Sequence, residues 1–185
     1  MATPEKKRDW SALAPIMAFA GLAFLLAVGL TRDPRLLPSE MIDREMPSFD
    51  LPALRAGDAR VSNADLEGQI SLVNVFGSWC AACIVEHPKL VELSFRNDIQ
   101  MVGLNWRDNN SAALRWLAQY GDPYDLIAID TNSDLAIELG VTGAPETFLI
   151  GPNGQIRYKQ IGPLTDQAWS ENIEPIVNAI KAEAN

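Results

Sequence analysis

The chain is poor in the side chains that hold metals and make cross-links. Its 185 residues include two cysteines and one histidine. A structural zinc site usually takes four protein ligands. With no second C-x-x-C and only His87 to add, that set is not assembled. Positive charge is scarce too: 15 Lys and Arg stand against 24 Asp and Glu, a net charge of −9. Phosphate backbones are bound by basic surfaces, so this balance argues against a nucleic-acid partner. No second cysteine lies in a T-x-x-C context, which argues against a peroxidase. There is no internal repeat and no low-complexity segment. The length suits one domain plus an appendage.

The appendage is N-terminal. Lys6, Lys7 and Arg8 precede an uncharged stretch from Trp10 to Thr31, whose core, Ala12 to Leu30, is rich in Ala, Leu, Phe and Val. That approaches the roughly 20 residues needed to cross a bilayer. No clear A-x-A cleavage site follows it, which favours an uncleaved signal-anchor over a signal peptide. The basic flank puts the N-terminus in the cytoplasm, although Glu5, Asp9, Arg32 and Arg35 dilute that signal. The expected organisation is a cytoplasmic N-terminus over residues 1–10, a transmembrane signal-anchor over 11–30, a proline-containing tether over 31–46 and a folded domain over 47–185.

Within that domain, Phe49, Leu51 and Leu54 alternate before Gly57-Asp58 and Arg60-Val61, predicting a short hairpin. Ser62 to Leu66 reads as a capped helical turn closed by Gly68. Ile70 to Phe76 is an apolar run that predicts a buried central strand. Ala81 to Phe95 reads as a helix interrupted by Pro88. Ile99 to Trp106 is the next strand, with Gly103 admitting another backbone. Asn110 to Tyr120 is an amphipathic helix, Leu126 to Ile129 a strand, and Ser133 caps a helix through Leu139 that ends at Gly140. Thr147 to Ile150 and Gln155 to Gln160 form a hairpin, and Thr165 to Ala182 a final helix. Strands alternating with helices, then a hairpin and a helix, imply an α/β fold with a mixed central sheet and helices on both faces.

Both cysteines fall at one point, in Trp79-Cys80-Ala81-Ala82-Cys83, between the apolar strand and the helix. If Cys80 opens that helix, its sulfur meets unpaired N–H groups that favour the thiolate. Cys83 then lies one turn inside, within bridging reach. Three readings compete: a reversible dithiol couple, a metal-ligand pair, and a structural bridge. So short a loop stabilises little as a structural bridge, and the metal set is incomplete. The strand–turn–helix setting favours the redox couple.

Taken together, Val73-Asn74-Val75-Phe76, the Trp79-to-Cys83 motif, Pro88 and the run from Gly140 to Phe148 resemble a thioredoxin-like domain. Leu37 to Ile42, Pro47-Ser48-Phe49, Cys83-x-x-Glu86-His87-Pro88 and Gly143-Ala144-Pro145-Glu146-Thr147-Phe148 make the chain similar to the membrane-tethered CcmG/DsbE proteins of bacterial cytochrome c maturation. The resemblance implies a thioredoxin-like fold behind an N-terminal transmembrane helix. It also implies a thiol:disulfide oxidoreductase of the inner membrane, its domain facing the periplasm, with no cofactor beyond a Cys80–Cys83 disulfide. The implied partners are a DsbD- or CcdA-type membrane reductase, apocytochrome c and a CcmH-like protein. A general periplasmic reductase or oxidant and a thioredoxin-fold copper chaperone remain alternatives.

The implied site has Cys80 as an exposed nucleophile and Cys83 as the resolving thiol. Pro145 would follow a cis peptide facing the sulfurs, and the backbone of Gly143 and Ala144 would pair with an extended client. Trp79 either shields the sulfur pair or packs as a core aromatic. Many thioredoxins carry an aspartate six residues before the first cysteine; here it is Asn74. Glu86, one turn past Cys83, and Glu146, after the proline, are the acidic residues that would tune the thiols, a nearby carboxylate raising a thiol pKa. Glu86 otherwise reads as a solvated helix residue. His87 reads as a surface residue, and Trp106, Trp116 and Trp169 as core.

Overall fold

The computed structural model describes residues 14–30, 42–55 and 60–183. The chain divides into two units, Met1–Leu37 and Pro38–Asn185. In the first, helix α1 (Ala14–Leu30) has 17 residues and no charge. At 1.5 Å per residue it is about 26 Å long, against a hydrocarbon core of about 30 Å. Among the described residues no helix is long and apolar enough to cross a membrane, so the expected span over 11–30 is not established by α1. Residues 1–10, most of the tether and the Gly57-Asp58 turn lie outside the described residues.

The second unit is built around β3 (Ser71–Phe76), in which every residue is buried. A strand covered on both faces is an apolar run rather than an alternating one. It pairs in parallel with β4 (Gln100–Trp106), which pairs in parallel with β5 (Leu126–Asp130). On its other side it pairs antiparallel with β6 (Glu146–Ile150), and β6 with β7 (Ile156–Ile161). The order is β5-β4-β3-β6-β7, the expected mixed sheet. The expected hairpin also forms, β1 (Asp50–Pro52) against β2 (Arg60–Ser62).

Successive residues of β3 face opposite ways and so divide the core. Leu72 and Phe76 join Leu90 and Leu93 of α2 (Ala81–Leu93) and Trp116 and Leu117 of α3 (Asn110–Tyr120). The same cluster takes in Trp169, Ile173 and Val177 of the C-terminal helix. Val73 and Val75 join Leu135 of α4 (Asp134–Glu138), with Leu139, Phe148 and Val61. Helices therefore cover both faces, as expected.

Three local readings need correction. Ser133 does not cap α4 with its side chain; its φ is 68°, and its hydroxyl accepts from Trp106 Nε1 at 2.9 Å. Asp130 Oδ2 takes the capping part, accepting from the Ala136 amide at 2.8 Å. The last helix is not uniform. It runs as α5 (Asp166–Ala168), a π turn (Trp169–Ile173) and α6 (Glu174–Glu183). Pro175 supplies no amide, and its ring crowds the carbonyl one turn earlier; the wider π turn relieves both. Gly103 admits rings rather than a backbone: a Cβ there would come within 2.8 Å of Phe76 and 3.1 Å of Tyr124.

Candidate active site

Cys80 is the N-cap of α2, in extended conformation, and its sulfur accepts a hydrogen bond from the Cys83 amide at 3.1 Å. That amide is one of the donors a helix start leaves unpaired. Cys80 and Cys83 form a disulfide, with Cα atoms 5.4 Å apart. The sequence reading had Cys80 exposed; it is 4% exposed and Cys83 1%. The cause is the loop before β6: the Ala144 carbonyl lies 3.4 Å from Cys80 Sγ. In the reduced state the thiol can donate to that carbonyl, while a thiolate keeps the Cys83 amide.

The Ala144-Pro145 peptide is cis, as expected. The Pro145 carbonyl accepts from the Gly162 amide at 3.0 Å, so the end of β7 backs the loop. A Cβ added at Gly143 would meet nothing within 4 Å, and its backbone borders open space.

Behind the sulfurs lies a buried polar cluster. Glu86 is 1% exposed, which rules out the solvated reading. Its Oε1 accepts from Asn74 Nδ2 at 2.8 Å and its Oε2 from the Leu164 amide at 2.7 Å. Asn74 Nδ2 also reaches Thr147 Oγ1 at 2.9 Å, and its Oδ1 accepts from Tyr124 OH at 2.7 Å. Burial raises the Glu86 carboxyl from 4.5 to about 7, against the opposing pull of the Leu164 and Asn74 hydrogen bonds. Burial, with the charges of Glu86 and Asp122 adding to it, pushes the Tyr124 phenol well up, so Tyr124 stays a neutral donor. Asn74 thus fills the aspartate position as a link between Tyr124 and Glu86. A carboxyl near 7, one turn from Cys83, can take or return a proton at neutral pH.

Trp79 is 52% exposed, so the core reading fails. Its indole meets Trp106 edge-on at 5.8 Å and donates to the Trp106 carbonyl at 3.2 Å. Gly77 makes room for it: a Cβ there would come within 2.5 Å of Trp79 Nε1. Asp108 pins the same turn, accepting from the Ser78 amide at 2.6 Å, the Ser78 hydroxyl at 2.7 Å and Asn105 Nδ2 at 3.1 Å.

Two expected residues stand elsewhere. Glu146 pairs with Val75, on the α4 face of the sheet, whereas Asn74 and Thr147 face α2. Its carboxylate engages Thr142 and Lys159 and does not join Glu86. His87 is buried, not on the surface. It sits edge-on to Trp116 at 4.4 Å, and its Nε2–H donates to the Gly121 carbonyl at 2.9 Å. Among the described residues, no three side chains of metal-ligating type converge. Sequence reasoning missed Tyr124, Leu164, Asp108 and Lys159. Each reaches the cluster or its loops from a distant part of the chain, and none sits in a motif.

A model of the Redoxin family matches residues 42–176. The thiol:disulfide interchange protein DsbE of Allochromatium vinosum is 43% identical over 166 residues, covering 90% of this chain and 92% of that protein. The DsbE protein of Pseudomonas aeruginosa is 40% identical over 171 residues, covering 92% and 94%. A crystal structure from Chlorobium tepidum, described as a thiol:disulfide interchange protein DsbE, aligns with a TM-score of 0.62 at 26% identity. It covers 74% of this chain and 94% of that one.

Proposed function

We propose, from the premise that this chain belongs to the Redoxin family and is a thiol-disulfide oxidoreductase of the DsbE type, that it works as a periplasmic reductant in cytochrome c maturation. Its clients are the C-x-x-C-H thiols of apocytochrome c, or a CcmH-like partner that acts on them. Haem attaches only to reduced thiols, so a disulfide there must be opened first. A membrane reductase of the DsbD or CcdA type returns the electrons. The uncharged α1 supports an anchor that holds the domain at the inner membrane, facing the periplasm.

The observation that carries this reading is the disulfide at the start of α2, facing a cis proline and backed by a buried glutamate. In the reduced protein the Cys80 thiolate attacks one client sulfur, and the other leaves as a thiolate. Cys83 gives its proton to the Glu86 carboxylate and attacks Cys80. The client leaves as a dithiol, and its two electrons have come from the Cys80–Cys83 pair, now a disulfide. A carboxylate one turn from Cys83 disfavours the thiolate forms, so the reduced state gains no stability from a thiolate and the pair is the stronger reductant. The open backbone at Gly143 and Ala144 suits an extended client.

The test is trapping in living cells. In Cys83→Ser the mixed disulfide at Cys80 has no neighbouring thiol to resolve it and accumulates; Cys80→Ser traps little. Mass spectrometry identifies the partner. Apocytochrome c or a CcmH-like protein supports the maturation role, and a broad set of periplasmic proteins points to a general reductase. If neither variant traps anything while the reduced wild type binds copper tightly, the redox role is wrong.

A further inference from the structure

Glu146 and Lys159 form an ion pair on the side of the sheet away from the cysteines. Lys159 Nζ is 3.0 Å from Glu146 Oε2, and the two side chains are 5% and 1% exposed. Nζ also donates to the Gly140 carbonyl at 2.7 Å and the Leu139 carbonyl at 3.5 Å. These carbonyls close α4, where a helix end lacks partners of its own. The other carboxylate oxygen, Glu146 Oε1, accepts from the Thr142 amide at 2.9 Å and the Thr142 hydroxyl at 2.5 Å. The chain is therefore held at Leu139, Gly140, Thr142 and Glu146. Between the last two holds lie only Gly143, Ala144 and Pro145, the segment that faces Cys80.

We propose that the Glu146–Lys159 pair is a positioning device, which sets the client-pairing backbone of Gly143 and Ala144 from behind the sheet and does not act on the sulfurs through its charge. This rests on the reading above, that an extended client lies along this loop. Two observations carry it. The carboxylate faces α4 and not α2, and an ammonium beside it cancels its field locally. Its hydrogen bonds go to the loop, which is fixed at both ends and open at Gly143. An edge that accepts an added strand needs a fixed backbone with unobstructed polar groups.

The experiment compares two substrates in single turnover with the reduced full-length chain, KM being the half-saturating concentration: a disulfide-bonded Cys-x-x-Cys-His peptide, and hydroxyethyl disulfide, which is too small to pair with the loop. In Lys159→Met and Glu146→Gln, KM for the peptide rises about tenfold, the effect of one misplaced backbone hydrogen bond. The rate with the small disulfide changes by less than about twofold. The double variant recovers part of the loss, because neither charge is left buried and unpaired. Thr142→Val, which leaves the pair intact, gives a smaller rise in KM and covers the case in which the charge variants fail to fold. Rates that fall together for both substrates overturn the proposal, as does a Glu146→Gln shift in the pH profile of Cys80 alkylation. A wild type that reduces the small disulfide and not the peptide sinks the client reading instead. The pair is then judged by hydrogen exchange at residues 142–144: faster exchange in Lys159→Met supports it, and unchanged exchange overturns it.

Discussion

Glu86 and Leu164, 78 residues apart, are joined by a 2.7 Å hydrogen bond from the Leu164 amide to the Glu86 carboxylate. Two residues earlier, the Gly162 amide donates to the Pro145 carbonyl. One short segment after β7 thus supports both the acid behind the sulfurs and the proline in front of them. The acid cannot move without disturbing the segment that backs the client loop.

The Glu86 carboxyl makes stability depend on pH. Its folded pKa is about 7, against 4.5 in the absence of burial. Between those values the folded chain holds a proton that the unfolded chain gives up. Stability therefore falls as pH rises through the window, by about 3 kcal/mol in full. Urea unfolding of the oxidised protein at pH 5 and pH 8 should show this loss, and in Glu86→Gln the fall should disappear, leaving only the smaller opposite trend from buried His87. The amide of Gln cannot accept from both Asn74 and Leu164, so the variant is also less stable than wild type at pH 5.

The same variant separates the two chemical steps. Removing the carboxylate lowers the apparent pKa of Cys80, because a nearby negative charge is gone; alkylation rate against pH measures it. Resolution by Cys83 loses its proton acceptor and slows by about a hundredfold. Single-turnover release of a chromophoric thiol from a preformed Cys80 mixed disulfide checks that step.

Asn74→Asp restores the residue type common in thioredoxins and puts a second carboxylate where an amide now meets Glu86 at 2.8 Å. Two carboxyls this close cannot both ionise, so one titrates well above its usual range. The variant should hold near wild-type stability at pH 5 and lose about 2–4 kcal/mol relative to wild type by pH 8. Equal losses at both pH values would count against it.

Asp108→Ala tests the turn that carries Trp79. Burial raises the Asp108 carboxyl, but hydrogen bonds from Ser78, Asn105 and Asn109 outweigh it and hold the group below its usual range. Its contribution is therefore complete at neutral pH and is lost only in acid, as pH falls through the lowered value. Removing it strands donors at the turn and costs about 2 kcal/mol. Ser78 is released, and Trp79 emission shifts to the red as its indole leaves the Trp106 carbonyl.

The elements were legible where one local pattern decided them. β3 is a mostly apolar run, broken by Ser71 and Asn74, and α3 begins and ends at the residues its periodicity indicates. The cysteines and Pro145 were legible because a motif carries them. What escaped depends on residues far apart in the chain. Glu86 was singled out by its place one turn past Cys83, but its burial and its bond to Leu164 depend on the segment after β7. His87 reads as exposed until α3 closes over it. Glu146 reads as a neighbour of the sulfurs because it follows Pro145, yet alternation along β6 turns it to the other face. Tyr124 carries no signal, because its link to Asn74 depends on the space left by Gly103. Pro175 falls inside the single helix expected over Thr165 to Ala182, and its outcome, a π turn, accompanies the burial of Trp169 and Ile173.

The stretch over residues 43–54 does more than lead into the domain. At one end Asp43, Arg44 and Met46 exchange backbone hydrogen bonds with Gly154 and Ile156, at the start of β7. At the other, Ala53 bridges Ala128 and the Leu54 amide donates to Ile127, along β5. β5 and β7 are the two outer strands of the sheet, so a dozen residues cover the start of one margin and the middle of the other, on a surface that otherwise invites pairing between copies. A soluble fragment beginning after residue 55 would keep every residue of the candidate site and still be the wrong fragment. Its bare strands would find one another, and the preparation would self-associate as concentration rose, while a fragment beginning at Ile42 would not.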